Sequence, residues 1–184
     1  MCSSMASLLP AVCVAWSCLF SASARSFWKN EKHYHGTVNA FQVFGQFSDA
    51  AGVRDVSRDP MFKCLRANRT EYDLEARSAN YVWSLNAGKG NPSKQVAVKY
   101  TGGDTPDAII TMVDSDPSTR KEGHVIYSNY KNCGISVMES LGHQCTLWVA
   151  YENRYSYPES CKRMHRKLCG EGVSLFDKEF CGDI

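Results

Sequence analysis

The sequence predicts an all-β protein: an eight-stranded antiparallel barrel with one C-terminal α-helix packed on its outside. Three observations carry this. Between Met61 and Tyr151, seven runs of strand length alternate with turn-forming stretches. After Pro158 the apolar spacing changes from a period near two to a helical one. Six cysteines remain once an apolar leader is set aside, and an even number in an exported chain implies three disulfides.

The leader is "LLPAVCVAWSCLF", Leu8 to Phe20, followed by "SASA" with Ala22 and Ala24 at the small-residue positions of a cleavage site. It reads as a secretory signal peptide over residues 1–24. It is too short to span a bilayer, and no later run reaches about 20 apolar residues. The expected mature domain is Arg25 to Ile184, exported to an oxidising, extracellular compartment. Within "VNAFQVFGQF", Val38, Phe41 and Phe44 recur at three-residue steps, which predicts a short N-terminal helix or turn.

The strands follow in order. "AGVRDVSRDP" (Ala51 to Pro60) is the only candidate for the first, and its glycine, two arginines and two aspartates predict a short or irregular one. Seven further runs are "MFKCLRA" (Met61 to Ala67), "NYVWSLN" (Asn80 to Asn86), "QVAVKY" (Gln95 to Tyr100), "AIITMVD" (Ala108 to Asp114), "HVIYSNY" (His124 to Tyr130), "CGISVME" (Cys133 to Glu139) and "QCTLWVAY" (Gln144 to Tyr151). Short connections between them predict a meander, and closing it into a barrel removes the exposed edges. "NRT" at Asn68 is an N-glycosylation sequon, expected in a turn, whereas "NPS" at Asn91 is blocked by its proline. In "PESCKRMHRKL", Pro158 and Glu159 mark a helix start, basic residues gather towards the end, and Gly170 stands just past it. Cys161 and Leu168 share one face, with Met164 and His165 between them.

Several function classes lack support. A net charge of +2 with no block of like charges gives no reason to expect nucleic-acid binding. No C-x-x-C occurs, and "HYH" (His33 to His35) has no matching second ligand pair, so no metal or other cofactor is expected. Neither G-x-S-x-G nor H-E-x-x-H is present, and disulfides would claim every mature cysteine. The chain is therefore read as a non-enzyme. An eight-stranded barrel either fills its interior or holds one small ligand, and periodicity is compatible with both. For Trp83 and Trp148 core filling is the leading reading and a ligand wall the second, since aromatic side chains commonly dominate cores.

The segments "VNAFQVF", "DPMFKCL" (Asp59 to Leu65), "KNCGISV", "CTLWV" and "YPESCKRMHRKLCG", with the cysteine near the chain end, together resemble the tick salivary lipocalins of the histamine-binding-protein family. The order and spacing of all six cysteines carry the resemblance, which runs from about Val38 to Cys181. The G-x-W signature of general lipocalins is absent. The resemblance implies the pairings Cys64–Cys181, Cys133–Cys161 and Cys145–Cys169. In the chain-entropy model the first is worth on the order of 4–5 kcal/mol and the others about 3.5 each.

That pairing sets the facing of two strands. If Cys133 and Cys145 both reach an outer helix, Ile135, Val137, Leu147 and Val149 also point outward. Gly134, Ser136 and Met138, with Thr146, Trp148 and Ala150, then point inward. Trp83 and Tyr100 join them as expected pocket residues. Amine-binding family members carry Asp after the cysteine matched by Cys133, and Glu two positions before the aromatic matched by Trp148. Here those positions are Gly134 and Thr146, so the resemblance implies an apolar ligand slightly ahead of histamine or serotonin. Fatty acids, eicosanoids and sterols are the candidates. For an acidic lipid, Lys63, Tyr100, His124 and Tyr127 are the candidate inner contacts.

The expectation is a secreted monomer that sequesters a small host mediator, lipid or biogenic amine, and so counters inflammation or haemostasis. The alternative is a protein-binding immune modulator, with a host protein as partner and a filled barrel as scaffold.

Overall fold

The computed structural model describes residues 38–86, 93–138 and 143–182. The predicted signal peptide, His33, His35, Asn91 and Glu139 lie outside them. Helix α1 (Ala40–Gln46) leads into β1 (Asp49–Asp55), and β2 (Arg66–Asp73), β3 (Ser78–Leu85), β4 (Lys94–Gly102), β5 (Ala108–Val113), β6 (Lys121–Ser128), β7 (Cys133–Met138) and β8 (Gln144–Ala150) follow. Helix α2 (Glu159–Cys169), a two-residue strand β9 (Val173–Ser174) and the turn of helix α3 (Lys178–Cys181) complete the chain. Each strand from β2 to β8 pairs antiparallel with the next, and β1 pairs with both β8 and β2. The eight strands thus close on themselves, with α2 against β8.

Strand β1 exists despite its poor propensity because it is the closing strand, and burial on both sides decides its conformation. Ala50, Ala51 and Val53 are almost completely buried. A side chain at Gly52 would come within 2.7 Å of Leu65 Cδ2, so only glycine lets that leucine close over the strand. A bulge between Gly52 and Arg54 shifts the β8 register, so that Arg54 stands opposite Leu147, and on its other edge Arg54 and Asp55 pair with β9.

The second strand lies further along the chain than its apolar residues suggest. Pro60–Phe62 forms a 3-10 turn capped by Asp59, whose Oδ1 accepts the Met61 N–H at 2.9 Å. Cys64 is left-handed, with φ 55°, so the run Met61 to Ala67 cannot be one extended strand. The strand proper is the polar "RANRTEYD". Asn68 therefore sits in mid-strand opposite Val82, not in a turn, with its side chain exposed on the outer face.

Helix α1 is capped by Asn39, whose Oδ1 accepts the N–H groups of Phe41 and Gln42. Side chains from the barrel satisfy carbonyls in and just beyond it. Tyr72 donates to Phe41 O, Arg69 to Phe44 O, and Tyr81 to Phe47 O at 2.9 Å. These bonds hold α1 against the barrel, where it contacts β3 and β6.

The three disulfides are Cys64–Cys181, Cys133–Cys161 and Cys145–Cys169. Two of them tie α2 to β7 and β8. The buried face of α2 is centred on Cys161 and His165, one turn apart, while Leu168 is only half-buried. The His165 imidazole bonds the Cys145 carbonyl through Nε2 at 2.8 Å. Burial lowers the pKa of His165, against the smaller raising effect of that bond, so the ring is neutral and Nε2–H donates.

Candidate functional site

Alternation along the strands aims one set of side chains into the barrel, and the cross-strand register aligns them. Gly134 stands opposite Trp148, Ser136 opposite Thr146, and Met138 opposite Gln144. On the other side, Trp83 faces Val96, and Tyr81 faces Val98. These side chains do not fill the interior. They surround a cavity of about 260 Å³, just under the range usual for drug-sized ligands. The filled barrel weighed as an alternative is not what the interior shows.

All seven residues assigned to the pocket from sequence line this cavity: Trp83, Tyr100, Gly134, Ser136, Met138, Thr146 and Trp148. Ala150, placed inward by parity, does not reach it, and Ile135, placed outward, does contribute. Helix α1 adds Val43 and Phe44, and Phe47 follows just after it. The helix was predicted, but its part in the cavity was not. Its signal is the aromatic spacing itself, because Phe44 packs on Tyr81 and Tyr100 with ring centroids 6.0 and 4.9 Å away.

The wall is apolar with a few polar points. Trp83 and Trp148 meet at 5.5 Å between ring centroids. The Trp148 indole N–H donates to Ser136 Oγ at 2.9 Å. Among the described residues the buried Trp83 indole N–H has no hydrogen-bond partner, and its interaction with the Tyr100 hydroxyl opposes the effect of burial there only slightly. Burial dominates at Tyr100 and Tyr81, whose pKa values are pushed far above the ordinary range, so both remain neutral phenols.

Among the described residues no aspartate or glutamate lines the cavity, and the exposed Lys94 is the one charged side chain that does. At Gly134 the fit is tight: a Cβ there would lie 3.1 Å from Val43 Cγ1 of α1, which would have to shift by a few tenths of an ångström. Asp114 is exposed and accepts the Ala97 N–H. Of the four candidate contacts for an acidic lipid, Tyr100 reaches the cavity and the other three do not. Lys63 Nζ donates to Ser174 O, and His124 Nδ1 lies 3.1 Å from the buried Asp107. Tyr127 is not in the lining either.

One acid lies directly behind the wall. Asp55 is 1% exposed. Its Oδ1 accepts the Ser57 N–H at 2.7 Å, and its Oδ2 lies 2.5 Å from Thr146 Oγ1. Sequence reading missed it, because the bulge that brings Asp55 beside Thr146 has no signature in the run "AGVRDVSRDP".

The sequence matches the family model for tick histamine binding protein over residues 28–182. No curated protein matches it. Solved structures share the fold at low identity. The serotonin complex of AM182 superposes with a TM-score of 0.60 at 14% identity, covering 79% of this chain and 94% of that one. Japanin from Rhipicephalus appendiculatus, bound to cholesterol, gives 0.54 at 10%, covering 75% and 95%. Lobster apocrustacyanin A1 gives 0.52 at 9%, covering 84% and 85%.

Proposed function

The chain belongs to the tick histamine-binding protein family, and from that premise we propose that it is a secreted lipocalin that sequesters a small, neutral, mainly apolar host mediator in its barrel. Capture is by burial in a preformed cavity, without turnover. The observation that carries the reading is the missing pair of carboxylates. An ammonium group in this cavity would lose its hydration with no acid among the described wall residues to replace it, at a cost of several kcal/mol. An apolar ligand gains about 25 cal/mol for each Å² it buries. The solved relatives span both chemistries, serotonin in AM182 and cholesterol in Japanin, and the wall here suits the second kind. Sequestration outside the cell fits the apolar leader and the exposed sequon asparagine, Asn68.

The test is native mass spectrometry of the full secreted protein after incubation with host plasma, with extraction and identification of what stays bound. A neutral or weakly polar lipid is the expected species. A bound biogenic amine, or recovery of the protein with an empty barrel, would refute the reading.

A further inference from the structure

The hydrogen atoms on the cavity wall can be counted, and the count selects a functional group. Thr146 lines the cavity, and its hydroxyl is directed at Asp55 Oδ2, 2.5 Å away. The carboxylate accepts, so the one proton of Thr146 is committed away from the cavity. Among the described residues nothing donates to Thr146 Oγ1, so towards the interior it is an acceptor only. Ser136 stands directly opposite on β7. Its Oγ accepts from the Trp148 indole at 2.9 Å, and among the described residues its own proton has no acceptor. Towards the interior Ser136 is a donor. Two adjacent strands thus present one donor beside one acceptor, Thr146 oriented by the buried Asp55 behind it and Ser136 by the Trp148 indole of the same wall.

We propose that this pair recognises a hydroxyl group, so that the barrel selects an apolar alcohol. The proposal rests on the reading of the barrel as a ligand site and names the polar group that the ligand carries. A ligand hydroxyl accepts from Ser136 and donates to Thr146 at once, which uses both points. A carboxylate has no proton for Thr146 and meets the charge of Asp55 behind it. An ammonium group satisfies Thr146 but cannot accept from Ser136, and Asp55 itself is not part of the wall. A plain hydrocarbon leaves both points without a partner. The Trp83 N–H and the Tyr100 hydroxyl form a second, donor-bearing region to which an acid would turn instead, so an acid belongs in the comparison.

The test is displacement of a fluorescent fatty-acid probe from the full protein by 1-decanol, decane, decanoate and decylamine, which share one chain length. Decanol is expected to bind about ten-fold tighter than any of the other three, the worth of two modest hydrogen bonds. Thr146→Val should bring decanol down to the level of decane measured on the same variant, while Thr146→Ser should keep the advantage. If Thr146→Val does not fold, Ser136→Ala is the substitute and should likewise bring decanol down to decane. Equal binding of decanol and decane, or tighter binding of decanoate or decylamine, overturns the proposal and leaves apolar sequestration standing. Failure of the probe and the whole series to bind overturns both.

Discussion

Thr146→Glu places an acid where the family resemblance implies one in amine binders, and the structure predicts that it is strongly destabilising here. The substitution removes the 2.5 Å hydrogen bond to Asp55, a bond to a charged group worth about 1.5–3 kcal/mol. It also brings a second carboxylate beside a buried one. At about 4 Å and an effective dielectric near 20, that repulsion is about 4 kcal/mol. The combined loss of about 5–7 kcal/mol is comparable with the whole stability of many domains. Protonation of one carboxylate removes the repulsion, so the variant should regain stability relative to wild type as pH falls from 7 towards 4.5. Asp55→Asn in the same chain replaces an acceptor by a donor and should recover most of the loss at pH 7. Urea unfolding of the four proteins of this cycle at both pH values measures it. A loss below about 1 kcal/mol at pH 7, or an equal loss in the Asp55→Asn background, would refute the placement of Asp55 behind Thr146.

Three further outcomes follow from the same structure. Replacing Cys64 and Cys181 by serine opens the loop with a sequence separation of 117; it should lower stability by up to about 4–5 kcal/mol, more than opening either short loop, as read by denaturant unfolding. His165 has its pKa depressed below the ordinary 6.5 by burial, so the unfolded chain takes up its proton first. Its contribution to stability is therefore full above about pH 6.5 and declines as pH falls towards the depressed folded value, a slope that His165→Gln should flatten in thermal melts at pH 7.5 and 5.5. Asn68 is exposed on the outer face of β2, so Asn68→Gln should remove a glycan-sized mass from protein secreted by eukaryotic cells. An unchanged mass would show the sequon to be unused.

What the sequence disclosed follows from where its signals come from. Strand β4 was legible because buried residues alternate with exposed ones, as at Val96, Val98 and Tyr100, and β7 and β8 because both their faces are covered and they read as apolar runs. The facing of β7 and β8 was legible because two cysteines must reach one external helix, which fixes Ser136, Met138, Thr146 and Trp148 on the opposite side. Strand β2 was misplaced because its outer face is solvated and its one fully buried residue is Ala67, so the apolar residues just before it drew the assignment. The closing role of β1 depends on partners from β2 and β8, distant in sequence. The same holds for Asp55. A lone aspartate in a weak strand gains its meaning only when a bulge sets it against a threonine 91 positions away.

The central claim is that this cavity takes a neutral, mainly apolar ligand in preference to a cation. Titration calorimetry with tryptophol and tryptamine, which share one indole and differ in hydroxyl against ammonium, tests it most directly. The account predicts saturable binding of tryptophol and affinity for tryptamine at least about ten-fold weaker. Tighter binding of tryptamine would contradict it.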